Sequence, residues 1–153
     1  MKSTLRPRIV TLEPMRVASC RAVGREPEIE AFRVMTAWAR EAGVLGRKGV
    51  RYFGFDNPAP TSGRDEYGYE VWMTVDSAVR ESENVKEKDF PGGKYAVITT
   101  RLSGIAQSWK DLLTWRAESE YGEAKHQCLE EVRTPPLESP PGDIEIDLYL
   151  PLK

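Results

Sequence analysis

The segment His126-Gln127-Cys128-Leu129-Glu130-Glu131 concentrates side chains that could do chemistry: the chain's single histidine, one of its two cysteines and two adjacent carboxylates. On a strand, alternate residues share a face, so His126, Cys128 and Glu130 point one way and Glu131 the other. All three of the first set are possible zinc ligands. Spaced about 6.6 Å apart on a straight strand, they do not converge on one ion, and no second cluster completes a coordination sphere. Glu130 and Glu131 face apart and cannot form a carboxylate pair. A nucleophilic triad would have to use His126, and nothing nearby resembles a nucleophile elbow. Gly92-Gly93-Lys94 precedes a strand candidate, not a helix, so it lacks the helix N-terminus that would hold a phosphate and reads as a turn. What remains is one carboxylate, Glu130, whose meaning depends on what shares its face.

The elements that position it repeat. Phe32, Met35 and Trp38 recur as Trp109, Leu112 and Trp115, and Glu70-Val71-Trp72-Met73 recurs as Asp147-Leu148-Tyr149-Leu150; 109 minus 32 and 147 minus 70 both give 77. One offset shared by a helical and a strand pattern argues for a duplicated supersecondary unit. The first unit reads as a strand over 17–23, a helix over 28–42 and strands over 50–55 and 69–75. The second reads as a strand over 95–102, a helix over 105–121 and strands over 127–132 and 144–150. Each last pair of strands is separated by a Pro-rich loop, 56–63 in one case and 134–142 in the other. The charged run Glu81 to Asp89 reads as a solvated linker. The expected architecture is α+β: one domain over 1–153 made of two pseudo-twofold-related strand-helix-strand-strand units, about 8–80 and 91–153 with a linker over 81–90. An antiparallel sheet and a central groove follow from it.

Alternation along the strands assigns the faces. Val71, Met73 and Val75, with Ile144, Ile146, Leu148 and Leu150, face the helices. The opposite side receives Glu70, Trp72, Asp147 and Tyr149. Carrying the offset of 77 into the remaining strands sets Phe53 opposite Glu130, since 130 minus 53 is 77, and leaves Phe55 on the same side. The expected site is therefore Glu130 among Phe53, Phe55, Trp72 and Tyr149, with Trp115 at its border or sealing the core. Flat rings with an orienting carboxylate describe a small-molecule groove. They equally describe a second core layer between the halves, and the pattern leaves both open.

Bulk numbers narrow the partners. At 153 residues with a formal net charge of −2, the chain carries no basic footprint for nucleic acid. No apolar run is long enough for a signal core or a membrane span, so a soluble, cytoplasmic protein is expected. Cys20 and Cys128 are expected to be reduced, buried thiols.

In order and spacing, the markers Leu12-Glu13-Pro14-Met15-Arg16-Val17-Ala18, Arg51-Tyr52-Phe53-Gly54-Phe55-Asp56-Asn57-Pro58, Gly93-Lys94-Tyr95-Ala96-Val97, Cys128-Leu129-Glu130 and Ile144 to Pro151 resemble the GyrI-like small-molecule-binding domain. That module stands alone in gyrase-inhibitor-type proteins and serves as the effector domain of AraC-type and multidrug-responsive regulators. The resemblance covers essentially the whole chain and implies two strand-helix-strand-strand units about a pseudo-twofold. It also implies an acid on the penultimate strand, here Glu130, meeting a cationic ligand among aromatics that include Tyr149. The family often has a Tyr two residues after that acid, where this chain has Val132. Its regulators carry a helix-turn-helix before the module, for which residues 1–8 are too short. The resemblance thus implies a binder of aromatic or lipophilic, cationic small molecules without a cofactor or metal. The alternatives it leaves are a hydrolase of strained, cyclopropanoid-type electrophiles with Glu130 as general base, and a protein partner such as DNA gyrase or a regulator.

Overall fold

The computed structural model describes residues 4–76, 81–132 and 144–153; the Pro-rich loop expected over 134–142 lies outside them. Helix α1 spans Pro27–Ala42, with Pro27 in its first turn beside Glu28 and Glu30, and Arg40 in its last. It stops at Gly43, whose φ of 74° lets its N–H reach the carbonyls of Ala39 and Arg40; only glycine adopts that conformation without strain. Ala31, Phe32, Met35, Trp38 and Ala39 form its buried stripe. Helix α2, Ile105–Glu118, buries Leu112 fully and packs Trp109 and Trp115 partly. It ends three residues short of the expected Tyr121. The Ser119 hydroxyl bonds the Arg116 carbonyl and accepts the Tyr121 N–H, local bonds that compete with the helical ladder.

The strands are β1 (Arg8–Leu12), β2 (Met15–Gly24), β3 (Tyr52–Asp56), β4 (Tyr67–Thr74), β5 (Lys86–Phe90), β6 (Gly93–Arg101), β7 (Leu129–Val132) and β8 (Glu145–Leu152). They make one antiparallel sheet in the order β1-β6-β8-β7-β3-β4-β2-β5. That order reads the same from both ends once each strand is exchanged for its counterpart in the other half, with the midpoint between β7 and β3. The fold class is the α+β architecture expected.

Two strands lie outside the expected set. β5 lies inside the run expected to be linker, and β1 precedes the first recognised strand. Lys86, Glu87, Lys88 and Asp89 carry no apolar alternation because β5 is an edge strand, where charge is the usual protection against pairing with another chain. Each half lends its first strand to the other: β1 pairs with β6, and β5 with β2. The turn at Gly92 is tight. A Cβ there would stand 2.2 Å from the Leu12 carbonyl oxygen.

The sheet buries both faces. Val71, Met73, Ile146, Leu148 and Leu150 pack against the helices, with Val75 and Ile144 partly buried beside them. On the other face Phe53, Phe55, Trp72 and Tyr149 join Phe90, Tyr95, Val97 and Leu129 in a second core layer. Their rings meet mostly edge to face, Phe53 to Tyr149 at 5.9 Å and Phe55 to Trp72 at 4.9 Å, the geometry their quadrupoles favour. Cys20 is buried, which pushes its thiol up to about 11, and Cys128, expected to be buried, is exposed; both are free. Among the described residues no helix is long and apolar enough to cross a membrane.

Candidate functional site

Glu130 faces the helices, with Val132, and not the aromatic layer. The expected company of Phe53, Trp72 and Tyr149 lies across the sheet. The reason is a single residue of register. Trp72 pairs with Phe53 and Tyr149 with Leu129, so β3 and β7 correspond at 129 minus 53, or 76, while β4 and β8 keep 77. A shift of one residue turns every side chain to the other face. The counterpart of Phe53 is Leu129, and Glu130 answers to Gly54, its cross-strand neighbour.

On the helix side Glu130 has different aromatic company. Its Oε1 accepts the Tyr69 hydroxyl at 2.8 Å and its Oε2 accepts the Trp109 Nε1–H at 3.0 Å. Tyr69 stands on β4, two strands away, and reaches Glu130 only by lying across β3. Gly54 makes that crossing possible: a Cβ there would sit 2.2 Å from the Tyr69 hydroxyl oxygen. Trp109 comes from α2, so both halves hold the carboxylate.

Burial pushes the Glu130 carboxyl above its ordinary range, the bonds from Trp109 and Tyr69 pull it back, and the carboxylates of Asp56 and Glu28 push it up again. Asp56 is also raised, by burial and by Glu28. Glu28, in the first turn of α1, accepts the Tyr67 hydroxyl. Burial and these neighbouring carboxylates hold the Tyr67 and Tyr69 hydroxyls firmly protonated. Asp56 and Glu130 share a cavity of about 320 Å³ with apolar walls from Phe55, Trp109, Leu113 and Leu150 and with Cys128 at its edge. Its volume falls at the lower end of small-molecule sites, roughly 300–1,000 Å³.

The acids on the other face are satisfied internally. Glu131 takes a two-pronged bond from Arg51 at 2.7 and 2.8 Å and the Tyr149 hydroxyl at 2.6 Å. Glu70, 2% exposed, accepts from Ser19, Trp72, Asn57 and Lys88. Burial disfavours its charge, but these four bonds outweigh that and hold its carboxyl below the ordinary range. Trp115 stacks on Tyr121 at 5.8 Å and does not line the Glu130 cavity. Of the expected site residues Phe55 alone lines the cavity beside Glu130, and its ring packs on Trp72 in the opposite layer. Pattern reading missed Tyr69, Trp109, Asp56, Glu28 and Gly54, although Tyr67 and Tyr69 share one face of β4 with Val71, which was visible in the alternation. His126 bonds the Lys94 carbonyl at 2.8 Å through Nε2 and stands edge-on to Tyr95 at 4.8 Å.

Glu130 stands on the penultimate strand beside an open cavity, held by Tyr69 and Trp109, while Tyr149, the aromatic the resemblance implied beside it, lies on the opposite face. The model of the GyrI-like small molecule binding domain matches residues 5–153. The chain belongs to this family. Its structural likenesses agree with that assignment. The C-terminal domain of EcmrR superposes with a TM-score of 0.78 at 10% identity, covering 97% of each chain. In the EcmrR–DNA complex the same likeness spans only 57% of the EcmrR chain. A hydrolase from Listeria innocua matches with a TM-score of 0.65 at 12% identity over 100% of this chain and 94% of its own. SAV2435, solved with tetraphenylphosphonium bound, matches with a TM-score of 0.57 at 12% identity over 97% of this chain and 94% of its own. At such identities the likeness is one of fold. No curated protein sequence matches this GyrI-like domain.

Proposed function

We propose that this GyrI-like domain captures aromatic, lipophilic cations in the Glu130 cavity, the Trp109 ring with Leu113 and Leu150 supplying contact area and Glu130 the counter-charge. The observation that carries the reading is Glu130 itself: a largely buried carboxylate without a cationic partner among the described residues, at an open cavity walled by Trp109, Leu113 and Leu150. A buried charge of this kind is costly until a cation arrives, and a positive group over a ring gains about 0.5–2 kcal/mol. The tetraphenylphosphonium bound to SAV2435 is a ligand of the expected chemistry. Calorimetric titration of the full chain with tetraphenylphosphonium tests it. Saturable binding that Glu130→Gln weakens supports the reading, and affinity indifferent to Glu130 sinks it.

The raised Glu130 carboxyl favours a second reading. A carboxylate whose pKa lies closer to neutrality suits a general base for water, and the related Listeria innocua structure is described as a hydrolase. In that case Glu130→Gln would still bind a strained electrophile but return it unchanged, which a product assay separates from a binding defect. Phe53, Trp72, Tyr149 and the ring of Phe55 support neither reading, because they pack the opposite face.

A further inference from the structure

Tyr69 does not line the Glu130 cavity, yet it gives the carboxylate the shorter of its two bonds, 2.8 Å to Oε1 against 3.0 Å from Trp109 to Oε2. Its ring is buried, 6.2 Å from the Phe32 ring of α1, and crosses β3 through the gap at Gly54. The pseudo-twofold is broken at this point. The counterpart of Tyr69 on β8, 69 plus 77, is Ile146, a core residue with no hydroxyl to give. The second half therefore supplies the acid and the first half a donor. A hydroxyl that donates to a carboxylate favours the ionised form, because a bond to an anion is roughly twice as strong as one to a neutral acceptor. No other titratable neighbour helps the charge. Asp56 at the end of β3 and Glu28 in the first turn of α1 repel it, and Cys128 on β7 and Tyr67 on β4 carry no positive charge. Among the described residues no lysine, arginine or histidine forms an ion pair with Glu130. Two neutral donors hold the anion, and Trp109 also walls the cavity; Tyr69 acts on Glu130 alone.

We propose that Tyr69 is a positioning residue of the cation site: donating across Gly54, it holds Glu130 as the oriented anion that a cationic ligand meets, so that the ligand and not a proton takes the carboxylate. The inference rests on the reading of the cavity as a cation site and adds what keeps its anion available. A proton and a cation compete for one carboxylate, and each bond made to the ionised form moves the balance toward the cation. Burial raises the Glu130 carboxyl and the Tyr69 bond lowers it, so loss of that bond raises it further. The Asp56 carboxyl, which also lines the cavity, is raised by burial and by Glu28 and has no bond from Tyr69, so its titration does not follow this hydroxyl.

The test is calorimetric titration of the full chain with tetraphenylphosphonium in steps from pH 4 to 9. Wild-type affinity is expected to fall toward acid pH as Glu130 takes up its proton. Tyr69→Phe is expected to move the midpoint of that fall up by about one pH unit, the scale of one hydrogen bond to a charged group. The variant then binds up to about tenfold more weakly on the acid side, and the two profiles converge at high pH. Gly54→Ala, which displaces the same hydroxyl without removing it, is expected to move the midpoint in the same direction and keeps the test available should Tyr69→Phe not fold. Tyr67→Phe deletes a hydroxyl that bonds Glu28 from the same face of β4, and is expected to leave the midpoint in place. Midpoints unmoved in both Tyr69→Phe and Gly54→Ala overturn the inference. A loss of affinity equal at every pH, which is what a packing defect produces, overturns it too. Wild-type affinity that does not vary with pH overturns it and leaves the cation reading standing. No binding of tetraphenylphosphonium at any pH overturns both.

Discussion

The Tyr69 ring lies across Gly54, its hydroxyl oxygen 2.2 Å from where a Cβ of residue 54 would stand, and that crossing delivers the hydroxyl to Glu130 on the next strand at 2.8 Å. A methyl group at position 54 and this hydrogen bond are mutually exclusive. Gly54→Ala must push the ring away or spread the strands, and overpacking of a filled core costs about 1–3 kcal/mol. Urea unfolding is expected to show that loss, with an unchanged slope against denaturant. Wild-type stability in the alanine variant would mean that Tyr69 moves freely.

Glu130 is expected to make stability depend on pH with the opposite sign to a salt-bridged acid. Its carboxyl is raised in the fold, so between the unfolded carboxyl range, about 4.3, and its higher folded value the native state holds more protons than the unfolded one. Stability contributed by the protonated form is therefore full below that window and lost as pH rises through it. Glu130→Gln removes the dependence. Its amide carbonyl keeps the Trp109 bond and its NH₂ can donate to a rotated Tyr69 hydroxyl, so at neutral pH the variant is expected to be neutral or up to about 1 kcal/mol more stable. Thermal unfolding of both proteins from pH 4 to 8 gives the difference, and a wild type that gains on the variant with rising pH contradicts it.

Glu70 provides the opposite case. Four bonds hold its carboxyl low, so its contribution is present above the unfolded value and lost as pH falls through the folded one. It also ties β4 to Ser19 on β2 and Lys88 on β5. Glu70→Ala is expected to cost about 1.5–3 kcal/mol, the scale of a lost charged hydrogen-bond partner, and to raise amide exchange in β5 first. Uniform exchange across the sheet would mean that Glu70 does not secure the exchanged strand.

Glu130 and Glu131, adjacent in sequence, are expected to separate cleanly. Glu130→Gln should weaken tetraphenylphosphonium by about 2–5 kcal/mol, the scale for a truncated buried charge contact. Glu131→Gln, which disturbs Arg51 and Tyr149 on the far face, should leave the affinity within about twofold and lower stability instead, by roughly 1–3 kcal/mol. Paired titrations and melts distinguish them. Equal effects on binding would remove Glu130 from the site.

Sequence alone determined what local periodicity can carry. The stripes through Phe32 and Leu112 specified both helices, alternation along β4 and β8 separated the helix face from the aromatic face, and the duplicated pattern announced the symmetric sheet. The position of Glu130 on a strand, facing away from Glu131, was legible for the same reason. Only tertiary structure decided which face that was. Register between strands is set by the loops that join them and by non-local pairing, and one residue of difference between the two halves moved Glu130 from the rings of Phe53 and Tyr149 to those of Tyr69 and Trp109. The exchanged edge strands were hidden likewise. β1 and β5 owe their conformation to backbone bonds with β6 and β2, and in β5 a charged edge strand leaves no apolar period from which such pairing could be read.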